Sequence, residues 1–162
     1  MTSWITLAAL FAAAFSAGAT GAAFPPGAWY RTLRKPSWTP PDWMFPIVWT
    51  TLYLAMTFAA WRVAGTPSEW AIPGLALWAW QIVMNALWSP VFFGLRRLGA
   101  AMLALAGLWV AVVLTTLVFW LADPVAGALM APYVLWVTIA GALNFALWRM
   151  NPEAPRMSLA RA

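Results

Sequence analysis

Charged residues are few in this chain and divide it into five long uncharged stretches. These stretches cover residues 1–30, 43–61, 70–95, 98–122 and 124–148. In a helix, about 20 apolar residues cross the roughly 30 Å hydrocarbon core of a bilayer. The stretches also lack the alternation of apolar and polar residues that is typical of barrel strands. The pattern therefore predicts an all-α membrane protein, a bundle of five transmembrane helices.

Prolines and glycines mark where these helices end. We expect helices at about 4–24, 43–64, 71–94, 99–121 and 124–149. All connections but one are short, so consecutive helices should pack antiparallel in a compact bundle. The exception is the connection between the first two helices, residues 25–43, which is held extended by prolines over residues 35–42. Long connections in compact domains are often functional.

The five helices are expected to form a single domain over residues 1–150, followed by a polar, frayed tail at 151–162. The first stretch resembles a secretory signal only in part. It has no basic residue at its start, and its apolar run is longer than that of a signal. We therefore expect it to remain as a transmembrane helix.

Composition identifies lipid as the solvent. Hydrophobic residues make up 64% of the 162-residue chain and charged residues only 8%, whereas a soluble domain usually has about 25% charged residues. The mean hydropathy is +0.78. A water-soluble protein of this size has too small an interior to bury so much apolar surface, so lipid must surround this chain. Nucleic acid is not an expected partner.

The cations predict the orientation of the chain. Five spans place eight of them on one side of the membrane: Arg31, Arg34, Lys35, Arg96, Arg97, Arg149, Arg156 and Arg161. The other side has only Arg62. By the positive-inside rule, the N-terminus faces out, and the first loop and the C-terminus face the cytoplasm if the protein lies in the inner membrane of a bacterium.

Several kinds of chemistry are excluded by missing residue types. The chain contains no histidine and no cysteine, so the commonest general base, haem ligand and thiolate nucleophile are absent. No carboxylate or other ionisable group lies in the middle of a span, which disfavours proton-coupled transport. We expect no metal site and no conventional acid–base catalysis.

Polar residues inside the spans indicate where a ligand binds. In the third span, Gln81, Asn85, Trp88 and Phe92 follow one helix face. Buried amides are costly in hydrocarbon and normally face the bundle interior. Hydrogen bonding between helices explains such amides equally well for each residue alone.

Two other spans present similar faces. The second span has Trp49 and Tyr53 one turn apart. The fifth span carries a longer face: Tyr133, Trp136, Ala140 and Asn144. Three faces that combine aromatic rings with hydrogen-bonding groups predict an aromatic pocket for a flat, mostly apolar ligand.

Three segments resemble one known family. They are KPSWTPPDWMFPIVWTTLY at 35–53, the Gln81, Asn85 and Trp88 face with SPVFFG, and PYVLWVTIAGALN at 132–144. In order and spacing they are similar to the tryptophan-rich sensory protein/translocator protein family (TspO/MBR), whose mammalian members are the peripheral-type benzodiazepine receptors. The resemblance implies five transmembrane helices, frequent homodimers, and binding of protoporphyrin IX, haem and benzodiazepine-site ligands, with sterols in animal members.

The resemblance also assigns roles to residues. The ligand-site positions that carry over are Tyr30, Pro40, Trp49, Tyr53, Asn85, Trp88, Trp136 and Ala140. Arg31, Arg34 and Lys35 lie beside the loop and would contact propionates, although a topology signal alone also explains these cations. The sterol-motif region corresponds to Leu143, Phe145 and Arg149, with Phe145 where animal members have tyrosine. We therefore expect weaker sterol binding.

Two functions fit these expectations. The first is a membrane tetrapyrrole-binding protein, a sensor or translocator in porphyrin metabolism and stress regulation. Porphyrin or haem is then a ligand and no cofactor is obligatory. The alternative is an enzyme that degrades porphyrin with light and oxygen, in which Trp49 or Trp136 serves as redox partner. The lack of catalytic residue types favours the first.

Overall fold

The computed structural model describes residues 3–154, which fold into helices joined by turns and loops. The helices are α1 (Trp4–Ala23), α2 (Ala28–Thr32), α3 (Met44–Ala64), α4 (Ala71–Ser89), α5 (Leu98–Ala122) and α6 (Pro124–Met150), and a π-helical turn at Pro90–Gly94 extends α4. No strand occurs within this part of the chain. The all-α prediction is confirmed, while most of the predicted tail, residues 155–162, lies outside the described residues.

In the described part of the chain, five helices are long and apolar enough to cross a membrane, as predicted. They are Trp4–Ala23, Met44–Ala64, Ala71–Gly94, Leu98–Ala122 and Pro124–Met150. Their ends lie within one or two residues of the predicted ends because prolines, glycines and charges stop helices strongly in this sequence. The chain therefore has the architecture of a multi-pass membrane protein.

The five long helices form a closed ring. Around it the order is α1, α4, α5, α6 and α3, and α3 packs again on α1. The pair α5 and α6 has the most extensive contact, while the consecutive helices α3 and α4 touch far less, since α1 packs against both. We expected consecutive helices to pack most extensively on each other. This holds for α4 with α5 and for α5 with α6, but not for α3 with α4.

The connection between α1 and α3 is more structured than expected. It contains the short helix α2, and Lys35 Nζ donates a hydrogen bond to the Tyr30 carbonyl at the end of that helix, at 2.7 Å. Residues 35–42 are not fully extended either, because the Thr39 N–H donates to the Pro36 carbonyl in a turn. Proline fixes φ but leaves turns accessible, so the prediction of an extended segment was too simple.

This connection is anchored to the end of α6. The Asn151 side chain accepts from the Arg34 N–H at 2.9 Å and donates to the Arg34 carbonyl at 2.9 Å and the Leu147 carbonyl at 2.8 Å. The two anchored residues are 117 positions apart in sequence. One amide therefore holds the connection against the C-terminal end of the bundle.

The end of α4 widens into a π-helical turn at Pro90. Proline has no N–H, so it interrupts the regular hydrogen-bond pattern of the helix. The Leu95 N–H then donates to the Pro90 carbonyl five residues back, at 2.8 Å. Arg96 follows with a positive φ of 56°, which stops the helix. The turn keeps Phe92 buried while the chain changes direction towards α5.

At the opposite end of the bundle, Asp123 joins three elements. It forms an ion pair with Arg62, with Nη2 to Oδ2 at 2.8 Å, and so connects α3 to the turn between α5 and α6. Its other oxygen accepts the N–H groups of Val125 and Ala126 at the start of α6. Capping of this kind satisfies backbone donors that a helix start leaves free.

Helices α5 and α6 approach each other closely at Gly127. A Cβ atom at this position would lie 2.7 Å from the Trp120 Cα and 2.8 Å from its backbone nitrogen. Real side chains essentially never come this near to backbone atoms. The lack of a side chain at Gly127 therefore permits the tight turn into α6.

We expect Gly127→Ala to lower the free energy of unfolding by roughly 1–3 kcal/mol, because the new methyl group forces α5 and α6 apart. Gly141→Ala in the same helix is the matched control, since its Cβ would meet nothing within 4 Å. That control should be neutral or stabilising by up to about 1 kcal/mol. Unfolding in detergent measures both, and equal stability of the two variants would contradict the close approach.

Candidate ligand-binding site

A cavity of about 480 Å³ lies inside the ring of helices at the end covered by the α1–α3 connection. All five long helices contribute to its wall. The lining residues are Phe15, Ala17, Gly18, Gly21, Ala22, Pro26, Tyr30, Asp42, Phe45, Pro46, Trp49, Thr50, Tyr53, Asn85, Trp88, Ser89, Phe92, Phe93, Leu105, Leu108, Trp136, Val137, Ala140, Leu143, Asn144 and Leu147. Its volume is within the roughly 300–1,000 Å³ typical of small-molecule sites.

A chain of hydrogen bonds through Asn85 joins three helices beside this cavity. The Tyr53 hydroxyl on α3 donates to Asn85 Oδ1 on α4 at 2.9 Å. Asn85 Nδ2 in turn donates to the Tyr133 hydroxyl on α6 at 2.7 Å. All three side chains are buried, so these bonds replace hydration that the membrane interior does not provide.

Trp49 lies against both tyrosines of this chain. Its ring stacks on Tyr53 with centroids 5.5 Å apart and meets the edge of Tyr133 at 6.0 Å. These are the offset and edge-to-face arrangements that aromatic pairs prefer. The hydrogen-bonded tyrosines therefore fix the orientation of an indole on the cavity wall.

Aromatic rings also form the end of the cavity nearest the connection. Tyr30 of α2 meets the edges of Phe92 and Phe93, at 6.1 and 5.5 Å between centroids. Trp88 packs on Phe92 at 4.9 Å. The π-helical turn brings Phe92 and Phe93 to the same partner ring, so the short helix α2 is held in place by packing.

Three buried polar atoms on lining residues have no hydrogen-bond partner. They are the indole nitrogens of Trp88 and Trp136 and the side-chain oxygen of Asn144. The Asn144 nitrogen is satisfied by the Leu98 carbonyl at 3.0 Å. Each unpartnered atom is covered by neighbouring side chains, so a ligand would reach it only if the residue moved. Such atoms are the expected polar anchors of a mostly apolar site.

Within residues 3–154, the cavity wall carries one charged side chain, Asp42, at its exposed end. Burial raises the pKa of the nearby Tyr30 hydroxyl, and the Asp42 carboxylate raises it further. Tyr30 therefore stays neutral at physiological pH and offers a hydroxyl group to the cavity. The rest of the wall is aliphatic, aromatic or uncharged polar.

The three loop cations do not line the cavity. The Lys35 ammonium lies over the Tyr30 ring at 4.5 Å and donates to carbonyls at the end of α2, with the shortest bond to Tyr30. Arg31 and Arg34 are exposed. The structure therefore gives these cations no contact with the cavity wall other than that of Lys35 with Tyr30, and their contact with propionates stays a prediction.

Nine of the twelve predicted ligand positions lie on the cavity wall: Tyr30, Trp49, Tyr53, Asn85, Trp88, Phe92, Trp136, Ala140 and Asn144. Pro40, Gln81 and Tyr133 do not. Gln81 is fully buried one turn deeper, against Met56, and Tyr133 lies behind Trp49 as the partner of Asn85. Pro40 is half-buried in the connection.

Sequence reasoning missed lining residues on each of the five long helices and on the connection, and α3 and α1 show why. Phe45 meets the edge of Trp136 at 5.6 Å. It lies one turn before Trp49 on the same face of α3, so the helical spacing already contained this signal. Helix α1 contributes Gly18, where a Cβ would approach the Tyr53 ring to 3.0 Å. Small residues give no chemical signal of a ligand site.

The three residues of the sterol-motif region do not share one face. Leu143 is buried on the cavity wall. Phe145 is 49% exposed on the outside of α6, and Arg149 is also exposed. Weak sterol binding stays a prediction, and the outward residues would meet a sterol only from the membrane side.

Five membrane-length helices around an aromatic cavity define a multi-pass membrane protein with an internal site of small-molecule size. The sequence model of the TspO/MBR family matches residues 4–149. The chain therefore belongs to the TspO/MBR family, as its motifs indicated.

Named relatives cover most of the chain. Protein CrtK of Rhodobacter capsulatus is 54% identical over 94% of this chain and 96% of its own length. The tryptophan-rich sensory protein of Cereibacter sphaeroides is 41% identical over 94% and 95%. The human translocator protein is 38% identical over 76% of this chain and 75% of its own.

We expect Asn85→Leu to lower the free energy of unfolding by roughly 1–3 kcal/mol for each tyrosine hydroxyl that it leaves without a partner. Leucine has a similar volume, so packing changes little. The triple variant Asn85→Leu, Tyr53→Phe, Tyr133→Phe should recover part of this loss, since it removes the orphaned hydroxyls. Unfolding in detergent compares the two proteins. A triple variant less stable than Asn85→Leu alone would show that the amide chain is not the cause.

Proposed function

We propose that this protein binds tetrapyrroles such as protoporphyrin IX or haem in the internal cavity and acts as a membrane sensor or translocator of them. The observation that carries the proposal is the cavity wall, in which Trp49, Tyr53, Trp88 and Trp136 surround a space of about 480 Å³. Flat conjugated ligands gain most from such a wall, because ring stacking adds to the burial of apolar surface.

The polar groups of the wall support the same ligand class. A tetrapyrrole has ring N–H donors, ring nitrogen acceptors and carboxylate side chains. The wall offers hydroxyl and amide groups at Tyr53 and Asn85 and unpartnered polar atoms at Trp88, Trp136 and Asn144. A few polar anchors in an apolar pocket fix orientation without the cost of burying unmatched charge.

The names of the relatives agree with a role in the membrane. One is called a tryptophan-rich sensory protein and another a translocator protein. By the charge distribution of the sequence, we expect the connection that covers the cavity to face the cytoplasm if the protein lies in the inner membrane. Benzodiazepine-site ligands, weakly bound sterols and a homodimeric state belong to the same proposal, by resemblance to the family.

A dark titration of the purified protein with protoporphyrin IX, followed by absorbance and tryptophan fluorescence, tests the proposal. We expect Ala140→Trp to weaken binding about tenfold or more, which corresponds to about 1.4 kcal/mol, because the added ring occupies the cavity. Ala142→Trp is the matched control: it lies two residues further along α6 and is exposed. If the protein binds no porphyrin, or if both variants bind as well as the parent protein, the cavity is not the tetrapyrrole site.

The contact of Trp49 with Tyr53 supports a second function. Both rings line the cavity and are stacked at 5.5 Å, which places an oxidisable pair beside a bound ring. In a degradative enzyme, light would excite the bound porphyrin, Trp49 or Trp136 would donate an electron to it, and molecular oxygen would be the final oxidant. Bound porphyrin would then lose its absorbance only in light and in air.

For this second function, we expect Trp49→Phe and Trp136→Phe to slow light-dependent bleaching at least about tenfold while dark affinity changes little, since phenylalanine retains stacking but is much harder to oxidise. Trp80→Phe is the control, because Trp80 is 56% exposed and is not a lining residue. Bleaching at the parent rate in both cavity variants would exclude these tryptophans. Stable absorbance of the bound porphyrin in light favours the sensor or translocator.

A further inference from the structure

The exposed end of the cavity carries a negative charge, that of Asp42. Five lining residues are exposed, and we call them the mouth: Ala22, Pro26, Asp42, Pro46 and Thr50. They come from the end of α1, the connection, and the start of α3. Asp42 is the only one of the five that carries a charge. Any ligand group that reaches the mouth from inside the cavity therefore meets a carboxylate.

No cation among the described residues lines the cavity to offset this charge. Lys35 is the nearest in sequence, and its ammonium is held over the Tyr30 ring and by the Tyr30 carbonyl. The carboxylate does act on the cavity, since it raises the pKa of the lining hydroxyl of Tyr30. The electrostatic effect of Asp42 thus extends to groups on the wall.

We propose that Asp42 selects ligands by the charge of the ligand group that lies at the mouth. The carboxylate disfavours acidic groups there and favours neutral or cationic groups. This inference rests on the proposed tetrapyrrole function and specifies its substrate class. Among flat conjugated ligands of equal shape, those with esterified or uncharged ends bind in preference to diacids. A diacid that binds must overcome the electrostatic repulsion between its carboxylates and that of Asp42.

Asp42 has an alternative structural role. It lies two residues before the start of α3, where a carboxylate stabilises the positive end of the helix dipole. Loss of that role would change protein stability and the binding of every ligand together. Charge selection instead changes the binding of acids and leaves that of neutral esters as it was. A comparison of the two ligand types separates these roles.

The test is a titration of the full chain in neutral detergent with protoporphyrin IX and with its dimethyl ester, followed by tryptophan fluorescence. Asp42→Asn is compared with the parent protein for each ligand separately, so that partitioning of the ligand into detergent cancels. Glu69→Gln is the matched control, since Glu69 is an acid that does not line the cavity. We expect Asp42→Asn to tighten binding of the diacid roughly 3- to 10-fold and to leave the ester within about twofold.

Salt gives an independent readout. Raising the ionic strength from about 0.01 M to about 1 M shortens the Debye length from about 30 Å to about 3 Å, so it should tighten diacid binding to the parent protein and have little effect on Asp42→Asn. Glu69→Gln should resemble the parent protein throughout.

Each remaining outcome overturns the proposal. Unchanged diacid affinity in Asp42→Asn, with the ester still bound, refutes charge selection but leaves tetrapyrrole binding intact. An equal change for both ligands assigns Asp42 the structural role alone. Failure of the parent protein to bind either ligand refutes the proposed function, and charge selection with it.

Discussion

The structure depends on one constraint, that an amide buried inside a membrane protein is costly unless it finds hydrogen-bond partners within the protein. Asn85 meets it with the hydroxyls of Tyr53 and Tyr133, one on each of two other helices. Lipid tails provide no hydrophobic force that draws helices together, so directional bonds and close packing determine how they are arranged. The same bonds orient the rings on which Trp49 rests, and so the bundle and its cavity are specified together.

Charge and polarity divide the cavity into two regions. Deep inside, the polar groups are uncharged amides, hydroxyls and indoles, because ions are too costly to bury there. Among the described residues, the only charge of the wall is at the mouth, where water reduces its cost. The buried end of a bound ligand would therefore lie against neutral hydrogen-bonding groups, and its outer end would lie near a carboxylate. The charge at the mouth is thus opposite in sign to that of the loop cations that were expected to bind the acidic groups of a ligand.

The helices and much of the cavity wall were predictable because both follow from local periodicity. Uncharged stretches determine the spans, and positions three or four apart share a helix face, which placed Asn85 and Trp88 together. Gln81 satisfies the same spacing but lies about 6 Å deeper along the axis, where Met56 covers it. Periodicity identifies which face of a helix points inward. It does not show how far along the helix the neighbouring helices separate to form the cavity. The helix α2 and the position of Asp42 depend on tertiary packing, and no local pattern encodes them.

The anchor at Asn151 has a consequence for which sequences this fold accepts. Its side chain bonds to the backbone N–H and carbonyl of Arg34 and not to the arginine side chain. Every amino acid except proline offers the same two groups. Position 34 is thus free to vary in charge and size without loosening the cover of the cavity, while position 151 requires an amide. The surface that faces water can therefore change at position 34 without loss of the attachment beneath it.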